Sequence, residues 1–494
     1  MNKSFFYILF VIGISLRFFH FGEELLEPHV WRQSDTANYI WDFYENGINL
    51  FYPSVCWMGG HKTLILEFPL VEAIASIGYH IFGPYQIVAK IVFFLFYLLS
   101  CYYFFKLIAY LYNSQIARLS LLFYILAPLS LFYSTAIHID FAELAFVFGM
   151  SYHFLKGIKE ELKVHLIVGS LFATLAFLTK VPYVLPLLLP IIAFVFINKK
   201  LKYILRNFYF IIIPVLIFVL WQNHVYAVND KAPDWHFIPG YRKFTYNAGW
   251  YYGSLDQRLT LSNWTLIKDR LFYEIIGYSG LFLLIISFII LKKRNYFIVF
   301  WLLGTVFYLL IFFNLNIVHN YYQTPFVPIF SVFMGLGLFK LITYLFRGKQ
   351  ALTLSLVFLI FGIEQTYYSE KNYYQEPNTA LEIGYYINKH TDKNDLIIIN
   401  YDYIDAKCPI YLYASRRNGW QLNSYKLSGS IIDKLILEKA SYFFSIRSEP
   451  PVDELKNYLS SYPLELQKLS NGKVLYMYDL KVPARDQLLL KKDV

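Results

Sequence analysis

Residues able to do chemistry are few in this chain, and they stand beside long apolar runs. The segment Trp31-Arg32-Gln33-Ser34-Asp35-Thr36-Ala37 puts a carboxylate three positions after a guanidinium, ahead of an amphipathic stretch at 38–44. Glu67 follows within Glu67-Phe68-Pro69-Leu70, and Asp140 comes directly after Ser134-Thr135-Ala136-Ile137-His138-Ile139. Lys180 ends Leu178-Thr179-Lys180, and His319-Asn320-Tyr321-Tyr322-Gln323 runs into Pro325 and Pro328. A carboxylate just outside a bilayer can take the proton of an attacking hydroxyl, working ionised and with no large change in its pKa. Cationic and hydroxyl side chains can hold an anionic leaving group and favour its departure. Two carboxylates, Asp35 and Asp140, could divide between activating the attacking group and holding a divalent cation, although the sequence commits to no ion.

Each of these residues also has an ordinary use. Asp35 could cap a helix beginning near Thr36, and Glu67 could be a helix-start carboxylate beside Pro69. Lys180 at the end of an apolar run could be an anchor reaching for the membrane surface. His319 and Tyr322 could belong to an aromatic belt in a chain with 45 tyrosines. His138 reads as an interfacial polar residue, because no cysteine or second histidine sits at ligand spacing.

The elements that must position these residues are mostly membrane spans. Of 494 residues, 57% are hydrophobic and 16% charged, and the mean hydropathy is positive. Apolar runs lie near 5–19, 86–111, 117–134, 141–156, 166–180, 183–197, 208–227, 272–290, 296–313, 324–346 and 351–366. They predict a polytopic α-helical membrane protein of about eleven spans. Lys3 ahead of the first run resembles a signal peptide, but no small-residue cleavage site follows, so the run reads as an uncleaved span. With a cytoplasmic N-terminus, the basic residues of the short loops, from Arg118 through Lys199 and Lys200 to Lys292, Lys293, Arg294, Arg347 and Lys349, all face the cytoplasm. An odd number of spans then places the long loops 20–85 and 228–271, and everything after the last span, on the other side. Asp35 and Asp140 would share that compartment.

Beyond the membrane domain, 1–366, residues 367–494 alternate as a small extracytoplasmic α/β domain. Asn378 is its first expected helix cap, followed by an apolar stripe at Ala380, Ile383 and Ile387. Strands are expected at 396–399, 410–413, 442–446 and 474–478, and further helices at 431–439 and 452–460. Residues 413–420 suit a turn with a buried aromatic. The net charge of +10 is dispersed and forms no basic face, which argues against nucleic acid. Cys56, Cys101 and Cys408 are too scattered for a disulfide framework or a metal site. No repeat, P-loop or dinucleotide motif is present, and Gly335 and Gly337 inside a span read as helix packing. The long loop with Arg242, Lys243, Arg258 and Arg270 contains no motif that selects one of them.

Residues 29–70 and 315–330 carry a resemblance to the bacterial dolichyl-phosphate-mannose-protein mannosyltransferase-like proteins, of the GT-C glycosyltransferase superfamily. The resemblance implies inverting transfer from a polyprenyl-phosphate-sugar donor within the membrane. It implies Asp35 as the catalytic carboxylate of the first external loop, with Glu67 and Asp140 at the matching acidic positions of the first and second loops. Arg32, Lys180, His319 and Tyr322 then fall to substrate binding. Ser34 and Thr36 flank Asp35 where a strict protein mannosyltransferase pairs two acids, so a glycan, a lipid or a protein remains open as acceptor. A transporter or flippase of lipid-linked sugars is the rival; it would be favoured by ionisable residues within spans and by inverted repeats. A non-enzymatic receptor fits less well, since the first loop is itself bulky and rich in acids and aromatics.

Overall fold

The computed structural model describes residues 3–22, 24, 25, 28–241, 243, 247–290, 296–345, 349–374, 379–401, 408–447 and 453–481. The expected cap Asn378, the loop residue Arg242 and the loop charges Lys292, Lys293, Arg294 and Arg347 lie outside the described residues. The chain divides into two compact units, each assembled from separated stretches: Met1–Glu23, Ile87–Asn223 and Tyr246–Gln375 form one, and Glu24–Gln86, His224–Thr245 and Glu376–Val494 the other.

The first unit is helical. Among the described residues, six segments are long and apolar enough to cross a membrane: Gln86–Leu111, Lys163–Ile197, Tyr209–Asn229, Leu261–Ile289, Phe326–Tyr344 and Gln350–Asn372. Of the other expected spans, 141–156 lies in the continuous helix Asp140–Glu160, which is outside the six, and the rest are shorter or broken. The run at 117–134 is two helices, Ser114–Leu126 and Pro128–Tyr133, because Pro128 supplies no N–H to continue the first. The run at 5–19 is the helix Lys3–Ser15 and a 3-10 turn.

The segment Lys163–Ile197 is continuous in hydropathy but not in direction. Its first helix, Lys163–Lys180, has 18 residues and so rises about 27 Å. Lys200, beyond the end of the second helix, nevertheless pairs with Glu161, before the start of the first, at 2.6 Å. The chain therefore reverses at Val181–Val184, where Lys180 leaves helical geometry (φ −157°, ψ 71°) and Pro182 follows. The expected division into 166–180 and 183–197 holds. Gly335 and Gly337 are packing positions, as read from the sequence: a Cβ on Gly335 would meet Ser120, and one on Gly337 the backbone of Leu283.

The second unit is a five-stranded sheet with helices, joined by the first long loop. Its strands are β1 (Leu396–Asn400), β2 (Asn418–Leu422), β3 (Ala440–Arg447), β4 (Leu464–Lys468) and β5 (Val474–Asp479), in the order β2-β1-β3-β5-β4. β1 is parallel to β2 and β3, whereas β5 is antiparallel to β3 and β4. The expected strand at 410–413 is instead the helix Ile410–Ser415. Four consecutive apolar residues carry no period, and all four are buried, so packing on every side decides the matter. The strand lies just after it, where a turn was expected. There Gly419 is required, because a Cβ would collide with the backbone of Ile397 on β1. β4 is mostly exposed and alternates Leu464, Glu465, Leu466 and Gln467, so no buried face announced it.

The loop extends the sheet edge. Gly419 donates its N–H to the Cys56 carbonyl at 2.9 Å, and Gly59 donates to the Gly419 carbonyl at 2.8 Å. Tyr39, Val55, Met58 and Leu64 from the loop, Trp235 from the 224–245 stretch, and Trp420 and Phe443 from the sheet share one buried core.

Candidate active site

In the loop unit, the helix Val30–Asn46 begins at Val30, behind a left-handed His29 (φ 62°), and not near Thr36. Asp35 therefore sits inside the helix and caps nothing. Arg32 and Asp35, three residues apart, share one helix face. Asp35 is 1% exposed, and Trp57 Nε1 donates to its Oδ1 at 2.8 Å. Arg32 forms an ion pair with Glu67, which is itself buried and gives no cap bond to the following helix Leu70–Phe82.

Burial pushes the Asp35 carboxyl up to about 7, against the opposing pull of Arg32 and of the Trp57 hydrogen bond. The sequence expectation of a carboxylate with little change in pKa is thus corrected: removal from water outweighs one guanidinium already paired with Glu67. Glu72, which the motifs did not single out, is 0% exposed on the helix Leu70–Phe82, and neither carboxyl oxygen has a hydrogen-bond partner. Burial raises it as well to about 7, while its own backbone amide and Arg32 act to lower it.

In the helical unit, Asp140 opens the helix Asp140–Glu160, and Lys180 closes Lys163–Lys180. Lys180 Nζ donates to Asp140 Oδ1 at 2.5 Å and to the Tyr183 hydroxyl at 3.2 Å. The same ammonium lies 4.3, 4.7 and 4.2 Å from the ring centres of Tyr183, Tyr321 and Tyr322. A lysine with 10% of its side chain exposed, paired with a fully buried aspartate, is not a surface anchor. Tyr183 donates its hydroxyl to the Tyr321 carbonyl at 2.7 Å, and Tyr308 donates to the Tyr322 carbonyl at 2.7 Å, which fixes the segment. His319 stacks on Tyr321 at 4.9 Å and 12°. His138 is buried, with Nδ1 at 3.6 Å from Asp140 Oδ2 and its ring 4.7 Å from that of Tyr321. It is therefore an interior residue, where an interfacial one was expected.

The structure thus gathers Arg32, Asp35 and Glu67 in the loop unit and Asp140, Lys180, His319 and Tyr322 in the helical unit. Sequence reasoning missed several further groups. Glu143, one turn after Asp140, is fully buried with both carboxyl oxygens lacking a hydrogen-bond partner. Asn320 donates to Glu274 at 2.9 Å and accepts from Tyr133 at 2.6 Å, and Arg270 donates to the carbonyls of Asn316 and Ile317 just before His319. Arg17, 2% exposed, donates to the Ser134 hydroxyl at 2.7 Å and to the Gly13 and Ile125 carbonyls. A single charge inside an otherwise apolar run was the available signal for Arg17. Among the described residues, no three His, Cys, Asp or Glu side chains are grouped to hold a metal ion. Asp35, Glu67 and Asp140 are each engaged by a nitrogen donor, from Trp57, Arg32 and Lys180 respectively.

Residues 67–226 match the family described as dolichyl-phosphate-mannose-protein mannosyltransferase. In fold the chain is similar to ArnT from Cupriavidus metallidurans bound to undecaprenyl phosphate, with TM-score 0.60 and 12% identity over 97% of this chain and 98% of that one. It is similar also to the Archaeoglobus fulgidus oligosaccharyltransferase in complex with Zn and sulfate, with TM-score 0.59 and 12% identity over 96% and 72% of the two chains. The archaeal oligosaccharyltransferase AglB from Archaeoglobus fulgidus, in complex with an inhibitory peptide and a dolichol-phosphate, gives TM-score 0.54 and 12% identity over 97% and 74%. No curated protein matches the sequence. At such identity the solved structures speak for the fold, and the family match covers about a third of the chain. Apolar helices and fold together make this chain a multi-pass helical membrane protein with a fold similar to these solved structures, within which residues 67–226 match the mannosyltransferase family.

Proposed function

We propose that the protein transfers a hexose or pentose, with inversion, from a polyprenyl-phosphate-linked donor to an envelope glycan, lipid or protein acceptor at the outer face of the cytoplasmic membrane. The observation that carries this reading is Asp35: a carboxyl buried in the first loop, oriented by Trp57 and balanced near neutrality, as a general base should be. The acceptor O–H gives its proton to Asp35 while its oxygen bonds to the anomeric carbon. The bond from that carbon to the phosphate oxygen breaks, and the lipid phosphate leaves with the electron pair. Glu67 holds Arg32 beside the base. The Lys180 ammonium, set by Asp140 and three tyrosine rings, with His319 and Tyr322, favours departure of the phosphate anion. The similar structures contain undecaprenyl phosphate and dolichol-phosphate, which supports a lipid-linked donor and explains why the catalyst lies in a membrane.

The test is transfer of labelled sugar from a defined polyprenyl phosphate by the purified full chain. Asp35→Asn is expected to lower turnover at least about a hundredfold, the low end of general-base catalysis, while donor binding persists. Near-normal turnover would remove Asp35 from the mechanism and pass the role to Asp140 or Glu67. A transporter or flippase of lipid-linked sugars gains one observation, the buried Glu143 within a helix. That reading requires donor to cross vesicle membranes without any transfer product.

A further inference from the structure

Glu72 is the most exceptional ionisable group of the loop unit. Its side chain is shut off from water, and both carboxyl oxygens lack a hydrogen-bond partner. A carboxyl in that state costs stability whether it stays ionised or takes up a proton, and packing alone would be served better by an apolar residue. The neighbourhood is unusual too. The helix Leu70–Phe82 packs on the helix Val30–Asn46, so Glu72 feels the charge of Arg32, the same guanidinium that pairs with Glu67 and acts on Asp35. One cation thus serves three buried carboxyls. Fully ionised, the four groups would hold a net charge of −2 away from water, which the low dielectric disfavours, so the cluster retains protons around neutrality.

The titratable groups around Glu72 limit how this can work. From the helix Val30–Asn46 come Arg32, Asp35 and Tyr39; from the preceding loop comes Glu67; and on its own helix stands Tyr79. Glu67 is committed to Arg32. The Tyr39 hydroxyl donates to the Leu64 carbonyl at 2.6 Å and accepts from the Leu66 N–H at 2.9 Å, and both tyrosines are held far above neutrality by burial. Asp35 and Glu72 are therefore the two carboxyls of the group that burial raises to about 7 against the opposing pull of Arg32.

We propose that Glu72 is a positioning residue for the transfer reaction, sharing Arg32 with Asp35 and Glu67 and setting the proton affinity of Asp35 through its own charge. The inference rests on Asp35 being the base. When Glu72 is ionised, like-charge repulsion holds the proton on Asp35 more tightly; when Glu72 carries the proton, Asp35 is released to act. After transfer both carboxyls carry a proton, and Asp35 returns to carboxylate by releasing the acceptor's proton to water or to the departed phosphate, Glu72 keeping its own.

The experiment measures the pH dependence of kcat in the full chain for wild type, Glu72→Gln and Glu72→Asp. Glu72→Gln removes the like charge, so the acid limb should move about one pH unit lower, and Glu72→Asp should restore it. An unmoved limb in an active Glu72→Gln protein overturns the proposal. A second measurement needs no folded Glu72 variant: infrared titration of buried carboxyl C=O bands in wild type and Asp35→Asn. The proposal requires a second carboxyl step near neutrality in wild type that moves to lower pH in Asp35→Asn, and an unchanged step overturns it. If instead Asp35→Asn remains active, the base assignment itself has failed, and the spectroscopic coupling stands or falls separately.

Discussion

Asp35 lies in a helix that starts five residues earlier, so it does not cap that helix. The remaining question at this scale is how its proton affinity is set. Burial raises it, while Arg32 and the Trp57 hydrogen bond lower it. On the proposed role of Asp35 as general base, which requires the carboxylate, kcat should rise with pH through about 7 and be lost below it. Trp57→Phe keeps the packing but removes the hydrogen bond to the carboxylate, so Asp35 should hold its proton more tightly and the acid limb should move upward; a limb that stays in place would show that Trp57 only fills space. The linkage sign follows from the same shift. The folded state binds the Asp35 proton more tightly than the unfolded chain, so this group lowers stability as pH rises from about 4 to 7.

Lys180 poses a different residue-scale problem, because it is paired with a buried aspartate. Lys180→Ala leaves Asp140 uncompensated, and breaking a buried pair costs about 3 to 5 kcal/mol. The informative variant is Asp140→Asn with Lys180→Met, which removes both charges. It should melt close to wild type yet lose about 2 to 4 kcal/mol in transition-state stabilisation with the donor, as an anion contact at a partly dry site supplies. Unchanged donor kinetics would make the pair purely structural.

At the scale of elements, the sheet edge explains how a loop can hold a rigid site. β2 pairs with β1 on one side and receives Cys56 and Gly59 of the loop on the other. Gly419 stands at the crossing, with Ile397 backbone where a Cβ would go. Gly419→Ala should therefore separate β1 from β2 and loosen the loop, with a loss on the order of 1 to 3 kcal/mol typical of overpacking. Thermal melting together with limited proteolysis at 47–69 checks this; a normal melt and an intact loop would contradict it. The reversal at Val181–Val184 has comparable weight, since it delivers Lys180 and Tyr183 to one place at the end of two antiparallel helices.

For the whole molecule, burial of the cysteines restricts how topology can be tested. Cys56, Cys101 and Cys408 are all buried, so a native cysteine cannot report the side of the membrane on which the sheet lies. Lys468, exposed on the edge strand β4, can be replaced by cysteine without touching the core. We expect Lys468→Cys in intact cells to react with a membrane-impermeant maleimide, as the loop charges require. Labelling only after the cytoplasm is opened would reverse the orientation.

Sequence by itself determined the class of molecule and the residues worth watching. Runs of apolar residues near 20 long have few alternatives to a membrane, and a carboxylate beside an arginine in a polar loop stands out against them. It also located β1, β3 and β5, whose buried apolar residues are bounded by turns. Only tertiary structure decided the rest. The apolar residues 410–413 have no period of their own, so their neighbours chose helix. Glu72 and Glu143 look like ordinary helix acids in the sequence. Their importance comes from exclusion of water and from which cation they must share, and both are properties of packing among residues far apart in the chain.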